Sequence, residues 1–278
     1  RVMTMTRRRR RTIVARAGRG SAPSRRDELA GVRATVRPIA RVVVAIPARD
    51  EAGAIAACLA SIAEAVRRCP VPVCVTVAAD ACHDDTAAIA RSLSSPEVPV
   101  HVVEGRWLGA GKARAAAIDA AMTDLGELDP ATVWIVNTDA DCIAAPGWLQ
   151  RHVAHAAGGA HAVAGTVGLD SRSTPTSLLA LFTASYELHG DTHRHVHAAN
   201  LGVRADAYRA VGGWSRHTVV GEDHELWRRL QSAELVLRQP TDVAVVTSHR
   251  TIGRVHGGFA SALAKLERRP LILPTAGA

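Results

Sequence analysis

Three groups of acidic residues recur at equivalent places along the chain: Asp50 with Glu51, then Asp80, then Asp139 with Asp141. Each follows a short run rich in β-branched and small apolar residues, within Arg41 to Pro47, Val73 to Ala79 and Thr132 to Val136. In an open parallel sheet the ligand crevice lies beyond the carboxyl ends of the strands, so acids placed in this way converge on one cleft. Gathered carboxylates repel one another unless a cation sits among them, and an Asp-x-Asp in a loop offers oxygen ligands to a divalent ion. Mg2+ or Mn2+ shared with a diphosphate is the chemistry such a cleft would hold. Taken alone, Asp139-Ala-Asp141 would equally serve as a cap or a solvated loop. Its position directly after the apolar strand Val133-Trp-Ile-Val136 sets it apart.

A cation to face that diphosphate is sparse in the sequence. Lys112 and Lys265 are the only lysines. Lys112 stands near the start of a predicted helix, where its charge opposes the helix dipole and a bound anion would offset it. It reads as a phosphate or donor contact, or as a plain surface lysine. Gly109-Ala-Gly111-Lys112 is not a Walker loop, because Arg106 stands where glycine is required and Ala113 replaces Ser or Thr. The dinucleotide fingerprint fails as well, with Arg114 at its last glycine.

These residues need elements to hold them. Ile55, Leu59, Ile62 and Val66 recur at helical spacing after the first strand, and the Pro70 to Pro72 break follows. The unit repeats: strand Val73 to Ala79, helix Asp84 to Leu93, strand Val98 to Val103, helix Gly109 to Leu125, strand Thr132 to Val136. Alternation of this length predicts an α/β fold with a mostly parallel central sheet and helices on both faces. The second half is less regular. It predicts a helix from Pro146, a strand over His161 to Leu169, and a helix over Thr176 to Leu188. Further helices are predicted over Glu222 to Gln231 and Gly258 to Arg268, with a strand over Asp242 to Thr247 between them.

The chain has 278 residues, 47% of them hydrophobic, enough for one large α/β domain. Its net charge of +8 is unevenly spread. Thirteen arginines face only Asp27 and Glu28 in residues 1–41, whereas beyond Arg41 the acids outnumber the basic residues by 24 to 21. Residues 1–37, with the run Arg7 to Arg11, are expected to be a disordered tail, and 38–278 the folded domain. The tail could bind nucleic acid or acidic lipid heads, but it reads as an inert leader or a misassigned start, and nucleic acid is not expected as the partner. No run of 18 apolar residues occurs, so a cytoplasmic protein is expected, free or peripheral to a membrane. Five cysteines without C-x-x-C spacing support neither a disulfide framework nor a zinc knuckle.

With these residues assembled, the sequence resembles a family-2 glycosyltransferase of the GT-A fold. The matching text is Ala45-Ile-Pro47-Ala-Arg49-Asp-Glu51, Ala79-Asp80-Ala-Cys-His-Asp84-Asp85-Thr86, Gly111-Lys112, Asp139-Ala-Asp141, Asn200-Leu-Gly-Val-Arg204, Gly212-Gly-Trp214 and Glu222-Asp223. The resemblance implies transfer of a sugar from a nucleoside-diphosphate donor of UDP or GDP type to an acceptor hydroxyl, assisted by Mg2+ or Mn2+, with inversion. By the same resemblance Pro47, Arg49 and Glu51 line the nucleoside pocket, Asp80 contacts the base, Asp139 lies near the ribose or sugar, and Asp141 ligates the metal. Asp223 is then the catalytic base, a carboxylate that removes the proton of a weakly nucleophilic hydroxyl as it attacks. Asn200, Gly213, Trp214 and Glu222 fall on the acceptor side. Ala79 replaces an acid the family often carries beside Asp80. A Gln-x-x-Arg-Trp signature is missing, which favours single transfer over polymerisation.

His249, after the last strand, is expected as a third metal ligand by the same resemblance, with His256 competing for the role. His193, His195 and His197 alternate as one face of a strand would, with His189 nearby. They read as acceptor-pocket or polar surface groups ahead of a zinc site. Trp214 either presents its ring to a sugar or packs in the core. Two rival readings are a nucleotidyltransferase, disfavoured by the glycine-poor turn Pro47 to Glu51, and a non-catalytic binder of nucleotide-sugars or nucleic acid.

Overall fold

The β-branched run at Val42 to Ile46 is wholly buried, and its alternation divides the interior in two. Val42, Val44 and Ile46 face one apolar cluster, and Val43 and Ala45 face the other. A strand apolar on both faces needs helices on both sides of its sheet. The computed structural model, which describes residues 25–34, 37–218, 220–249 and 259–267, has that arrangement. Helix α1 (Arg25–Ala34) precedes β1 (Arg41–Ala48), α2 (Ile55–Arg67), β2 (Val73–Asp80), α3 (Thr86–Ser92), β3 (Val100–Gly105), α4 (Ala110–Asp124) and β4 (Val133–Asn137). There follow β5 (Cys142–Ala144), α5 (Trp148–Ala157), β6 (Ala162–Ala164), β7 (Thr166–Leu169) and α6 (Thr176–Ser185). The chain continues through β8 (Leu188–His189), β9 (Thr192–His193), β10 (Leu201–Arg204), α7 (Ala205–Ala210) and α8 (Glu222–Ser232). It closes with β11 (Leu237–Arg238), β12 (Ala244–Thr247) and α9 (Phe259–Glu267).

The main sheet runs β11-β6-β10-β4-β1-β2-β3. Strands β4, β1, β2 and β3 are parallel, so their carboxyl ends share one edge. Strand β10 enters antiparallel between β4 and β6. Helices α2 and α5 bury Ile55, Leu59, Ile62, Trp148 and Leu149 in one cluster. Helices α4, α7 and α8 bury Ile118, Tyr208, Leu226 and Leu230 in the other. Each fully buried Ile or Leu contributes on the order of 2 kcal/mol through surface removed from water.

Two segments differ from the sequence expectation. The single strand predicted over His161 to Leu169 is two strands in two sheets, because β7 leaves the main sheet to pair with β12, which pairs in turn with β5. Gly165 is the break: a Cβ there would lie 2.3 Å from Asn200 Nδ2 and 2.4 Å from the Val243 carbonyl, so the backbone turns where no side chain fits. Residues 25–34, inside the segment expected as a tail, form helix α1. Asp27 and Glu28 in the first turn and Arg33 in the last complement the helix dipole of α1, and Val32 is buried. The Val32 carbonyl accepts hydrogen bonds from Arg204 Nη2 at 2.7 Å and His161 Nε2 at 3.1 Å. Arg33 Nε donates to the Ala233 carbonyl at 2.9 Å. Residues 1–24, with the Arg7 to Arg11 run, and His256 lie outside the described residues. No described helix is long and apolar enough to cross a membrane.

Candidate active site

The first two acidic groups lie in loops that lace together. Glu51 N donates to Thr86 Oγ1 at 2.7 Å, Ala52 N to Asp84 Oδ2 at 2.9 Å, and His83 N to Asp50 Oδ1 at 2.6 Å. The His83 amide bond holds the Asp50 carboxyl below its usual range. Pro47 and Arg49, half-buried, and Glu51, 7% exposed, sit at the carboxyl end of β1. Asp50, Cys82 and Asp84 approach within ligand distance of one another, but both carboxylates already accept backbone N–H groups.

Asp80 has a different place from the one expected of a base contact. It is 4% exposed, and its Oδ1 accepts from Trp107 N at 2.7 Å and Leu108 N at 2.8 Å, while Oδ2 accepts from Gly109 N at 3.0 Å. Three amides on one carboxylate leave little capacity for a ligand edge. Asp80 therefore anchors the loop that starts α4 and aims Lys112. Lys112, half-buried in the first turn of α4, has no ion-pair partner among the described residues.

Asp139 follows β4, and its Oδ1 pairs with Arg114 Nη2. Arg114 is 3% exposed; its Nη1 donates to Glu222 Oε1 at 3.0 Å, and its guanidinium lies 5.4 Å over the Trp214 ring. Burial alone would favour loss of the Arg114 proton, but the carboxylates of Asp139 and Glu222 reverse that and hold the charge. Burial in turn pushes the Asp139 carboxyl up from its ordinary range against the pull of Arg114. Sequence reading missed Arg114. The readable signal was its phase, since it shares the apolar face of α4 with Ile118, Ala121 and Met122.

Asp141 receives the Ser248 hydroxyl at 2.7 Å, because β12 runs antiparallel to β5 with Thr247 opposite Cys142. Asp139, Asp141 and Cys142 come within ligand distance of one another. Burial pushes the Cys142 thiol well up, so it stays protonated and is a poor ligand. The two carboxylates are oxygen donors suited to a hard divalent cation. His249 follows Ser248 with its Nδ1 buried and without a hydrogen-bond partner, yet its ring does not join that ligand cluster.

Asp223 lies in the first turn of α8, beside Glu222, so Arg114 links Asp139 to the helix that carries Asp223. Asp223 Oδ2 accepts from Ala198 N at 3.1 Å and Oδ1 from His224 N at 2.8 Å. The other expected acceptor residues sit deeper. Asn200 is fully buried: its Oδ1 accepts from Trp148 Nε1 at 2.8 Å and its Nδ2 donates to the carbonyls of Thr166 at 2.8 Å and Val243 at 3.0 Å. With both amide ends used, Asn200 joins the sheets. Trp214, 3% exposed, donates Nε1–H to Asn137 Oδ1 at 3.2 Å and packs in the core. Gly213 has φ +63°, and a Cβ there would lie 2.7 Å from the Tyr208 ring.

Acids at the shared carboxyl edge of the parallel strands β1, β2 and β4, with β10 entering antiparallel beside β4, are the arrangement of a GT-A fold. Residues 43–211 match the model of glycosyl transferase family 2, and the chain belongs to that family. The fold is shared with the crystal structure of S. aureus TarS 1-349 in complex with UDP-GlcNAc, at 17% identity and a TM-score of 0.57 over 78% of this chain and 60% of that one. The S. aureus TarS 1-349 complex with UDP also aligns, at 17% identity and a TM-score of 0.54, over 75% of this chain and 60% of that one. The mannosyltransferase PcManGT from Pyrobaculum calidifontis, in complex with GDP-Man and Mn2+, aligns at 20% identity and a TM-score of 0.53 over 77% of this chain and 59% of that one. The chain thus spans about 60% of the length of these structures. No curated protein matches it.

Proposed function

We propose that the chain transfers a sugar from a nucleoside-diphosphate donor of UDP or GDP type to an acceptor hydroxyl, in single transfers with inversion at the sugar carbon. The observation that carries this reading is the Asp139–Arg114–Glu222 linkage, which ties the loop after β4 to the helix that carries Asp223. That the similar structures hold UDP, UDP-GlcNAc and GDP-Man with Mn2+ supports the donor class. The same reading places the enzyme in the cytoplasm, free or at a membrane surface.

In this mechanism the nucleoside lies against Pro47, Arg49 and Glu51, and the diphosphate faces Lys112 at the α4 terminus. Asp139, turned by Arg114, stands beside the ribose or sugar. Mg2+ or Mn2+, held by Asp141 with Asp139, would neutralise the diphosphate as a leaving group. His249 completes that set only if its ring turns toward the aspartates. Asp223 accepts the acceptor's proton as the hydroxyl oxygen attacks the anomeric carbon from the face opposite the leaving diphosphate. Its two backbone N–H donors keep the carboxylate oriented.

A panel of UDP- and GDP-sugars with Mg2+ or Mn2+ tests the reading through nucleoside-diphosphate release and thermal shift. Stabilisation by one nucleoside diphosphate, strengthened by metal, is the expected result. A folded protein that none of them stabilises, with or without metal, would refute the transferase.

A further inference from the structure

Asp223 depends on a peptide N–H that belongs to another part of the chain. Ala198 N donates to its Oδ2 at 3.1 Å, and Ala198 directly follows His197 at the start of a 3-10 turn over Ala198–Asn200. The His197 ring lies nearly parallel to the His195 ring, 8° apart with centroids at 5.8 Å. His195 in turn stacks on Tyr186 at 3.9 Å and 21°. The Tyr186 hydroxyl accepts from Val167 N at 3.1 Å, which fixes the stack to β7. Tyr186 also lies 5.9 Å from the His197 ring at 25°, so the three rings form one compact group that joins β7 to the segment whose amide holds Asp223.

We infer that Tyr186, His195 and His197 are positioning residues for Asp223, acting as a ring stack that sets where the Ala198 N–H stands. The inference rests on the reading of Asp223 as the base. The rings work by their faces. His193 closes the ladder beside His195, with centroids at 5.9 Å, and its Nδ1 accepts from His195 N at 3.1 Å. That bond leaves the His193 proton on Nε2. A stack of this kind requires uncharged imidazoles, since neighbouring cations under 6 Å apart would repel. Burial supplies that condition, lowering His193 and His195 and holding His197 down at about 4, while Asp223 pulls His197 the other way. Glu187 and His224 are the other charged or titratable groups facing the stack. The His-x-His-x-His alternation is thereby explained without a metal, since these side chains form no ligand cluster among the described residues.

The test compares His195→Ala, which removes the ring that stacks on Tyr186, with His195→Phe, which keeps a flat ring without an ionisable group. Titration of each protein with UDP and with GDP in Mn2+ is followed by turnover, read as nucleoside-diphosphate release from the corresponding sugar donor. His195→Ala is expected to lose about tenfold or more in kcat with nucleoside-diphosphate affinity unchanged, and His195→Phe to stay within about threefold of the parent. Hydrogen exchange supplies a readout independent of activity. Residues 195–200 and the first turn of α8 should lose protection in His195→Ala and keep it in His195→Phe. Parent-like kcat and exchange in His195→Ala, or equal damage in both variants, would overturn the stack's role. Failure of the parent to bind either nucleotide would instead count against the transferase reading, and exchange would still decide the stack.

Discussion

Arg114 Nη1 donates to Glu222 Oε1 at 3.0 Å across 108 residues of sequence, and the same guanidinium pairs with Asp139. One buried cation thus serves a carboxylate from each side of the crevice, stacked on Trp214. Removing it would leave both acids without their partner. Arg114→Met is expected to lower unfolding stability by about 3 kcal/mol, since breaking a buried ion pair from one side strands the other charge. Adding Glu222→Gln should restore part of that loss, which a urea-unfolding double-mutant cycle measures. Strict additivity would mean that the two groups do not interact.

Asp223→Asn tests the base apart from binding. The amide keeps one oxygen to accept the Ala198 N–H but cannot take a proton, so turnover should fall about a hundredfold or more with nucleoside-diphosphate affinity preserved. Steady-state kinetics and titration calorimetry on the same preparation separate the two. Equal loss of both would remove Asp223 from that role.

Asp80→Asn should act on the loop before α4. An Asn side chain turns an NH2 toward at least one of the three N–H groups that Asp80 now satisfies, an arrangement of donor against donor. A loss of about 2 kcal/mol is expected, with faster hydrogen exchange at Trp107 to Gly109. Unchanged exchange there would show that the loop does not depend on this carboxylate.

Asp141→Asn addresses the metal. Loss of the charge should weaken the Mn2+-dependent part of nucleoside-diphosphate binding by about tenfold or more and spare the metal-independent part. Titration with and without a chelator reads the difference. A variant whose affinity still rises with Mn2+ as in the parent would assign the ion elsewhere.

Acid should destabilise the fold through His152. This ring is buried against Trp148 and Trp134, and burial lowers it from 6.5 to about 3. The unfolded chain therefore takes up a proton near pH 6.5 that the folded chain refuses. The stabilisation is complete above pH 6.5 and is lost as the pH falls toward 3, at up to about 1.4 kcal/mol per pH unit. His152→Phe should flatten that part of the pH–stability curve in chemical denaturation. An unaltered slope would place the acid sensitivity on other groups, with His197 next to be tested.

The parallel half of the fold was legible because it is periodic. The helix expected over Gly109 to Leu125 is α4 at Ala110–Asp124, and strands β1, β2 and β4 fall within a residue or two of the expected limits. The second half was not, for reasons seen in particular residues. Strand β10 is four residues long and takes its place from pairing with β4 and β6, which no local pattern encodes. Gly165 splits one apolar run between two sheets because of the approach of Asn200, 35 residues away. In the site, motif and order single out Asp139, Asp141 and Asp223, which the structure puts after β4 and in the first turn of α8. Asn200, Trp214 and Asp80 carried the motif too, but their hydrogen bonds are spent inside the fold, which only three-dimensional pairing reveals. Arg114 enters the sequence reading only as the residue that breaks the dinucleotide fingerprint, because its two carboxylate partners lie 25 and 108 residues away.

Helix α1 bears on where this domain can be cut. The family match begins at residue 43, yet the Val32 carbonyl satisfies Arg204 and His161, and Arg33 meets Ala233 and Glu234. A chain shortened to the family boundary would deprive two buried donors of this acceptor, at a cost of roughly 1–3 kcal/mol for each one stranded. Helix α1, which lies before the family match, therefore belongs to the packing that satisfies the buried Arg204 and His161 side chains, and a boundary drawn from recurrence alone would cut through it.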